Sequence, residues 1–264
     1  MSPLAVTRLG DGRRAAVLLH GVGGGRTIWG PEGSNTTAAL AQAGYTALAV
    51  DLPGYGDSPR KRSLSLAFMA EAVLELLDTL DIIEAIWIGH SMGGMVAQEA
   101  VARHPSRVSG LVLACTSPAF GKPDGAWQQA FVNDRLAPLD AGLGMAQVAR
   151  QLVPGLVAPG ASASVMARAS RLMAAVPETT YRQAIASLVG FDGRSALPLI
   201  QVPVLCLAGA LDTTSPPEVL RRMAQRIPGG VYLCLDESGH IANLEQPEAF
   251  NHAVIEFLRT HAPP

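Results

Sequence analysis

Short runs of apolar residues, each long enough for one β-strand, recur along the chain between stretches with helical periodicity. Six runs are rich in Val, Ile, Leu and Ala without strict alternation: 15–19, 46–50, 85–88, 108–114, 204–207 and 231–235. Such runs are typical of strands that are buried on both faces of a parallel sheet. The pattern therefore predicts an α/β protein with a mostly parallel sheet.

Apolar residues at three- and four-residue spacing predict helices between these strands. Residues 64–80 show the pattern well, with Met69, Val73 and Leu77 on one face. Further helices are predicted at 92–103, 217–226 and 247–259, where Pro247 suits a first helical turn.

One region breaks the alternation, because no strand pattern occurs between residues 120 and 198. Helical patterns instead occupy 142–152, 162–175 and 178–188, and a strand pattern resumes near Val202. A separate C-terminal domain starting near Phe120 is the alternative, but the strands after Pro198 are too few for a core of their own. We therefore expect one core domain, residues 1–119 and 199–264, that carries a helical cap, residues 120–198.

The composition of the 264 residues is that of a compact globular protein, with 48% hydrophobic and 16% charged residues. The formal net charge is −2 and no basic stripe occurs, which argues against a nucleic-acid partner. No apolar run reaches membrane-helix length and no signal-peptide pattern is seen, so we expect a cytoplasmic protein without a membrane contact. No metal-ligand spacing is present, and no metal is expected. Oligomeric state does not follow from the sequence.

The strongest chemical signal is the segment Gly89-His90-Ser91-Met92-Gly93-Gly94. The pattern G-x-S-x-G alone is weak, but here it follows a strand pattern and opens a helix pattern. A nucleophile elbow requires this strand–turn–helix setting, which lifts a serine hydroxyl to the end of the strand. A glycine-rich turn that only caps a helix is the alternative. We predict Ser91 as the nucleophile.

A serine hydroxyl needs a base that is held by a third group, and the expected chain order is Ser, Asp or Glu, then His. Asp212 and His240 each follow a predicted strand, in that order. Asp236 and Glu237 are competing acids, but both lie in the approach loop of His240. We therefore predict Asp212 as the orienting acid and His240 as the general base.

A glycine-rich loop, residues 20–25, follows the first predicted strand. Two converging backbone amides would stabilise the negative oxygen of a tetrahedral intermediate. We predict the amides of Val22 and Met92 as this oxyanion hole. A nucleotide-binding loop is the alternative, but neither G-x-x-x-x-G-K-[ST] nor G-x-G-x-x-G is present.

Five motifs occur in a fixed order along the chain: His20-Gly21-x-Gly23-Gly24, Asp51-x-Pro53-Gly54-x-Gly56-x-Ser58, Gly89-His90-Ser91-Met92-Gly93-Gly94, Gly209-x-x-Asp212-x-x-x-Pro216 and Gly239-His240. With them the chain resembles the α/β-hydrolase superfamily over nearly its whole length. Its C-terminal part is similar to small bacterial enol-lactonases, esterases and ring-cleavage hydrolases. The resemblance implies an eight-stranded, mostly parallel sheet, a helical cap and no cofactor.

The combined interpretation is a serine hydrolase that cleaves a small-molecule ester or lactone through an acyl-enzyme on Ser91. The alternatives are a carbon–carbon bond hydrolase of aromatic degradation and a small-molecule receptor that retains the three residues. Candidate substrate-binding side chains, for which core packing is the competing explanation, are Trp29, Trp127, Phe131, Met145, Met173 and Phe191. Candidate partners for a substrate carboxylate, for which a solvated helix face is the competing explanation, are Arg150, Arg168 and Arg171.

Overall fold

The computed structural model describes residues 4–60, 63–122 and 124–264. Its strands are β1 Val6–Leu9, β2 Ala15–Leu19, β3 Thr46–Val50, β4 Ala85–His90, β5 Val108–Ala114, β6 Val204–Gly209 and β7 Val231–Leu235. They form one sheet in the order β1-β3-β2-β4-β5-β6-β7, which is parallel except at β1. All six strands predicted from apolar runs are confirmed.

The number of strands differs from the eight that the family resemblance implies, because the described residues form seven. The first strand, β1, pairs antiparallel with β3, and only Leu4 and Ala5 are described ahead of it. The side chains of β1 are mostly exposed, so this edge strand carries no apolar run.

Ten α-helices occur among the described residues: α1 Thr36–Gln42, α2 Leu66–Thr79, α3 Met92–Arg103, α4 Ala126–Asp140, α5 Met145–Leu152, α6 Ala163–Ala174, α7 Glu178–Val189, α8 Pro217–Arg226, α9 Ala242–Glu245 and α10 Pro247–His261. The seven helices predicted from periodicity correspond to α2, α3, α5, α6, α7, α8 and α10. The sequence patterns missed α1, α4 and α9. No described helix combines the length and apolar character needed to cross a membrane.

The direction in which the chain crosses the sheet reverses at β2. From β2 the chain moves to β3 on one side, and it then returns to β4 on the other side. Helix α1 consequently packs with α10, whereas α2 packs with α3. In open α/β sheets, ligands bind in the crevice at the carboxyl ends of the strands beside such a reversal. The loops after β2 and β4 meet there.

Helices α4 to α7 lie between β5 and β6 in the chain, where the cap was expected. We refer to residues 120–198 as the helical segment. The start of the segment is joined to a later part of it by a bridge between Ala119 and Asp192, and the amide of Phe120 donates to the carbonyl of Phe191 at 3.0 Å. Helix α4 packs against α5 and α7, and α5 packs against α6.

Candidate active site

Ser91 occupies a sharp turn between β4 and α3. Its backbone has φ 53° and ψ −117°, a conformation that costs a non-glycine residue free energy. The turn also needs glycine on both sides of the serine. A Cβ at Gly89 would lie 2.4 Å from the carbonyl oxygen of Gly93, and a Cβ at Gly93 would lie 2.3 Å from that of Leu19. The glycines of the motif therefore have a steric cause. The turn presents the hydroxyl at the edge of the sheet formed by the carboxyl ends of the parallel strands.

Three side chains from distant parts of the chain form a hydrogen-bonded row at this edge. The Nε2 atom of His240 lies 3.0 Å from Oγ of Ser91, and its Nδ1 lies 2.8 Å from Oδ2 of Asp212. His240 is 6% exposed and Asp212 is 3% exposed, so both groups are shielded from water. With its proton on Nδ1, the imidazole donates to Asp212 and accepts from the serine hydroxyl.

Asp212 is held by two further hydrogen bonds to its other carboxylate oxygen. Its Oδ1 accepts from the amides of Thr214 and Ser215 at 2.8 and 2.9 Å. These donors fix the carboxylate and leave Oδ2 for His240. The competing acids Asp236 and Glu237 are both exposed. The structure thus places Asp212, and neither of these acids, beside the imidazole.

The loop that carries His240 is fastened by Glu245, which the sequence patterns did not single out. The Oε2 atom of Glu245 accepts from the amide of Gly239 at 3.0 Å and from that of Ala158 at 2.7 Å. Its Oε1 accepts from the amide of Ile241 at 3.0 Å. One carboxylate therefore holds the chain on both sides of His240 and ties it to the helical segment.

The backbone of His240 is also held from two directions. Its amide donates to the carbonyl of Leu156 at 2.7 Å, and its carbonyl accepts from Nε2 of His90 at 2.7 Å. His90 precedes the serine, so the turn of Ser91 and the loop of His240 are joined directly. Burial lowers the pKa of His90 to about 3, and this ring stays neutral.

The loop after β2 lies against the serine turn. Val22 lines the same cavity as Ser91 and His240, and Met92 starts the helix that follows the serine. Within the described residues, neither the Val22 amide nor the Met92 amide donates to a protein acceptor. His20 stabilises this loop, because its Nδ1 donates to the carbonyl of Gly21 and its Nε2 accepts from Leu52. Burial lowers the pKa of His20 and keeps it neutral.

Two cavities meet at Ser91, and three of the six predicted substrate-binding residues line them. The first, between the serine and the helical segment, includes Phe131 and Met173; the second includes Phe131 and Trp127. The remaining three candidates line none of the described cavities, because they are buried in the hydrophobic core: Trp29, Met145 and Phe191. Trp29, for example, packs against Phe250 with ring centroids 6.1 Å apart.

The predicted carboxylate partners also lie outside both cavities that meet at Ser91. Arg150 bonds to Gln147 on the exterior, Arg168 lies 3.8 Å from Glu32, and Arg171 is exposed.

Arg135 lines the first cavity instead. The sequence patterns missed Arg135 because its helix, α4, contains Pro138 and has no clear apolar face. The available signal was the four-residue spacing from Phe131, which puts both side chains on one helix face.

Comparison with known proteins places the fold in a family. A family model for the alpha/beta hydrolase fold matches residues 16–247. A pimeloyl-[acyl-carrier protein] methyl ester esterase from Vibrio cholerae is 30% identical over 91% of this chain and 92% of its own. An esterase from Thermogutta terrifontis, solved with malate bound, has a TM-score of 0.86 at 28% identity, over 98% of this chain and 94% of its own.

The enol-lactonase of Burkholderia xenovorans LB400 is also similar, with a TM-score of 0.83 at 27% identity over 97% of this chain and 96% of its own. The chain belongs to the α/β-hydrolase family. Its resemblance to small bacterial esterases and lactonases is confirmed, and these relatives identify it as a hydrolase.

Proposed function

We propose that the protein is a serine hydrolase that cleaves a small-molecule ester or lactone. One observation carries this proposal: the row in which Ser91 Oγ, His240 and Asp212 are joined by contacts of 3.0 and 2.8 Å. Such a row activates a hydroxyl that is otherwise a poor nucleophile. The helical segment would act as the cap and supply the substrate-binding wall.

In the proposed reaction, Ser91 Oγ attacks the acyl carbon while its proton passes to Nε2 of His240. Asp212 stabilises the resulting imidazolium, and the amides of Val22 and Met92 bind the oxyanion. The intermediate collapses, and the departing alkoxide takes the proton from Nε2. Water then attacks the acyl-enzyme with His240 again as the base, which releases the acid and restores the serine. In a lactone the departing oxygen remains attached to the product.

Shape and chemistry support a small substrate. The first cavity has a volume of about 80 Å³, which favours a small substrate. Three free cysteines, Cys115, Cys206 and Cys234, accord with a reducing compartment, and we propose a cytoplasmic location.

The test is a burst experiment with 4-nitrophenyl acetate on the wild type, Ser91→Ala and Ser187→Ala. Ser187 is a matched control because its hydroxyl donates to the carbonyl of Ala184, away from both cavities that meet at Ser91. We expect about one nitrophenolate per chain in the burst for the wild type and the control, and none for Ser91→Ala. An equal burst in Ser91→Ala contradicts the proposal. Absence of turnover with every ester and lactone favours the receptor, and turnover of vinylogous diketones alone favours the carbon–carbon hydrolase.

A further inference from the structure

Arg135 is a cation inside the cavity that contains the proposed nucleophile. It lies on α4, and its guanidinium carbon is 3.4 Å from the ring centroid of Phe131. Its Nη1 donates to the carbonyl of Phe131 at 3.1 Å. The same cavity is lined by Ser91 and His240, so the guanidinium and the proposed reacting groups share one enclosed space.

The charge of Arg135 has no partner of opposite sign among the described residues. No carboxylate oxygen lies within 4 Å of it, and its neighbour Asp134 is exposed. Arg182, on the adjacent helix α7, pairs with both Asp140 and Glu178. A guanidinium carries five N–H donors, and Phe131 accepts one bond. The remaining donors are free for a bound molecule.

Removal from water is costly for such a charge, and it lowers the pKa of Arg135. An arginine nevertheless stays protonated at neutral pH. Placing a cation in a half-buried position without a carboxylate destabilises the empty site, and an anionic ligand would recover the lost interaction. The position of Arg135 therefore favours a ligand with a negative charge.

Tyr181 supplies a second polar group beside Arg135. It lines the same cavity, is 1% exposed, and its hydroxyl forms no hydrogen bond with another described residue. Burial raises the pKa of Tyr181 to about 12, so the phenol keeps its proton and can donate it to an anion. A guanidinium and a phenol together match the two oxygens of a carboxylate.

Most of the remaining cavity wall is apolar, with Leu152, Leu172, Ile185 and Leu188 among the lining residues. We propose that the substrate is an ester or lactone that bears a free carboxylate on a short hydrocarbon spacer, with the carboxylate bound by Arg135 and Tyr181. A half-ester of a short dicarboxylic acid belongs to this class. This inference rests on the proposed function for the ester, while the anion site rests on Arg135 and Tyr181.

The test compares charged esters with neutral esters of the same shape. Monoethyl succinate is paired with ethyl 4-methylpentanoate, and 3-acetoxypropanoate is paired with 3-methylbutyl acetate. The first pair carries the carboxylate on the acyl side, and the second pair carries it on the alcohol side. For each pair, the ratio of kcat/KM for the charged ester to that for the neutral ester is measured in the wild type, Arg135→Met, Arg135→Lys and Arg182→Met.

We expect the wild-type ratio to favour the charged ester in at least one pair. Arg135→Met should lower that ratio about tenfold to a hundredfold, because a hydrogen-bonded charge is lost. Arg135→Lys should restore part of the ratio, and Arg182→Met should match the wild type. An unchanged ratio in Arg135→Met for both pairs overturns the inference.

Binding without turnover separates this inference from the proposed function. Calorimetry on Ser91→Ala should detect monoethyl succinate, and the double variant with Arg135→Met should bind it at least tenfold more weakly. If binding depends on Arg135 but the wild type has no esterase activity, the proposed function is refuted and the anion site stands. If the wild type is an esterase but neither binding nor the kcat/KM ratio depends on Arg135, the anion site is refuted and the proposed function stands. Thermal unfolding of Arg135→Lys checks that the fold survives.

Discussion

The loops at the carboxyl end of the sheet and the helical segment differ in how tightly the chain packs around glycine. A Cβ at Gly93 would lie 2.3 Å from a backbone oxygen, and one at Gly209 would lie 2.2 Å from another. In contrast, a Cβ at most glycines of the helical segment, such as Gly155 and Gly190, would meet no atom within 4 Å, and one at Gly121 or Gly125 would meet first the side chain of Gln128. The sheet end is thus fixed to one geometry, as hydrogen-bonded proton transfer demands. The helical segment leaves space, and its side chains can vary with the substrate.

The largest loss of stability is expected from a methyl group added at the sheet end. Gly93→Ala pushes Cβ into the carbonyl oxygens of Leu19 and His20, at 2.3 and 2.9 Å. We expect a loss of about 3 kcal/mol or more in the free energy of unfolding, measured with urea. Gly155→Ala is the matched control and should stay within about 0.5 kcal/mol of the wild type. Equal urea midpoints for the two variants would contradict the comparison.

Glu245 joins the two regions, and changing it tests whether the helical segment positions the base. In Glu245→Gln one carboxylate oxygen becomes an NH2 group, which cannot accept from the amides of Gly239, Ala158 or Ile241. We expect kcat to fall about tenfold to a hundredfold through misplacement of His240, with KM nearly unchanged. Steady-state kinetics on an uncharged ester measures this.

The matched control for that experiment is Glu256→Gln, because Arg259 is the only described residue with which Glu256 pairs, on the exposed face of α10. The control should keep the wild-type kcat. A change in KM alone for Glu245→Gln, or a kcat equal to that of the control, would refute the positioning role.

A third expected effect is an acid sensitivity that originates at the sheet end. His90 is buried beside His240, Asp212 and His20, and burial lowers its pKa from about 6.5 in the unfolded chain to about 3. Below pH 6.5 the unfolded chain therefore binds a proton at His90, and the folded chain does not. The stability contribution is complete above pH 6.5 and is lost as the pH falls toward 3. The expected loss is about 2–3 kcal/mol between pH 6 and pH 4.

Urea unfolding at several pH values measures this slope, and His90→Asn should flatten it. His104→Asn is the control, because His104 lies outside the sheet end and pairs with Glu71. The helical segment contains no histidine. If the His90→Asn slope equals that of the wild type, buried His90 is not the source.

Sequence patterns located the sheet and most of its helices because strands buried on both faces have few polar positions. The meeting of Ser91, Asp212 and His240 follows from the same topology, since parallel strands end at one edge. Arg135 escaped prediction because helix α4 lacks a regular apolar face and contains Pro138. Trp29 was expected at the cavity, but its size suited the core equally well, and periodicity does not distinguish the two.

The bonds from Leu156 and Ala158 to the loop of His240 restrict how a ligand can enter. An outward movement of the chain at Leu156 would pull His240 away from the serine, because the amide of His240 donates to the carbonyl of Leu156 at 2.7 Å. A conformation that is open at Leu156 is consequently inactive. A ligand that avoids this cost would enter through the second cavity, which half-exposed Trp127 lines and Leu156 does not.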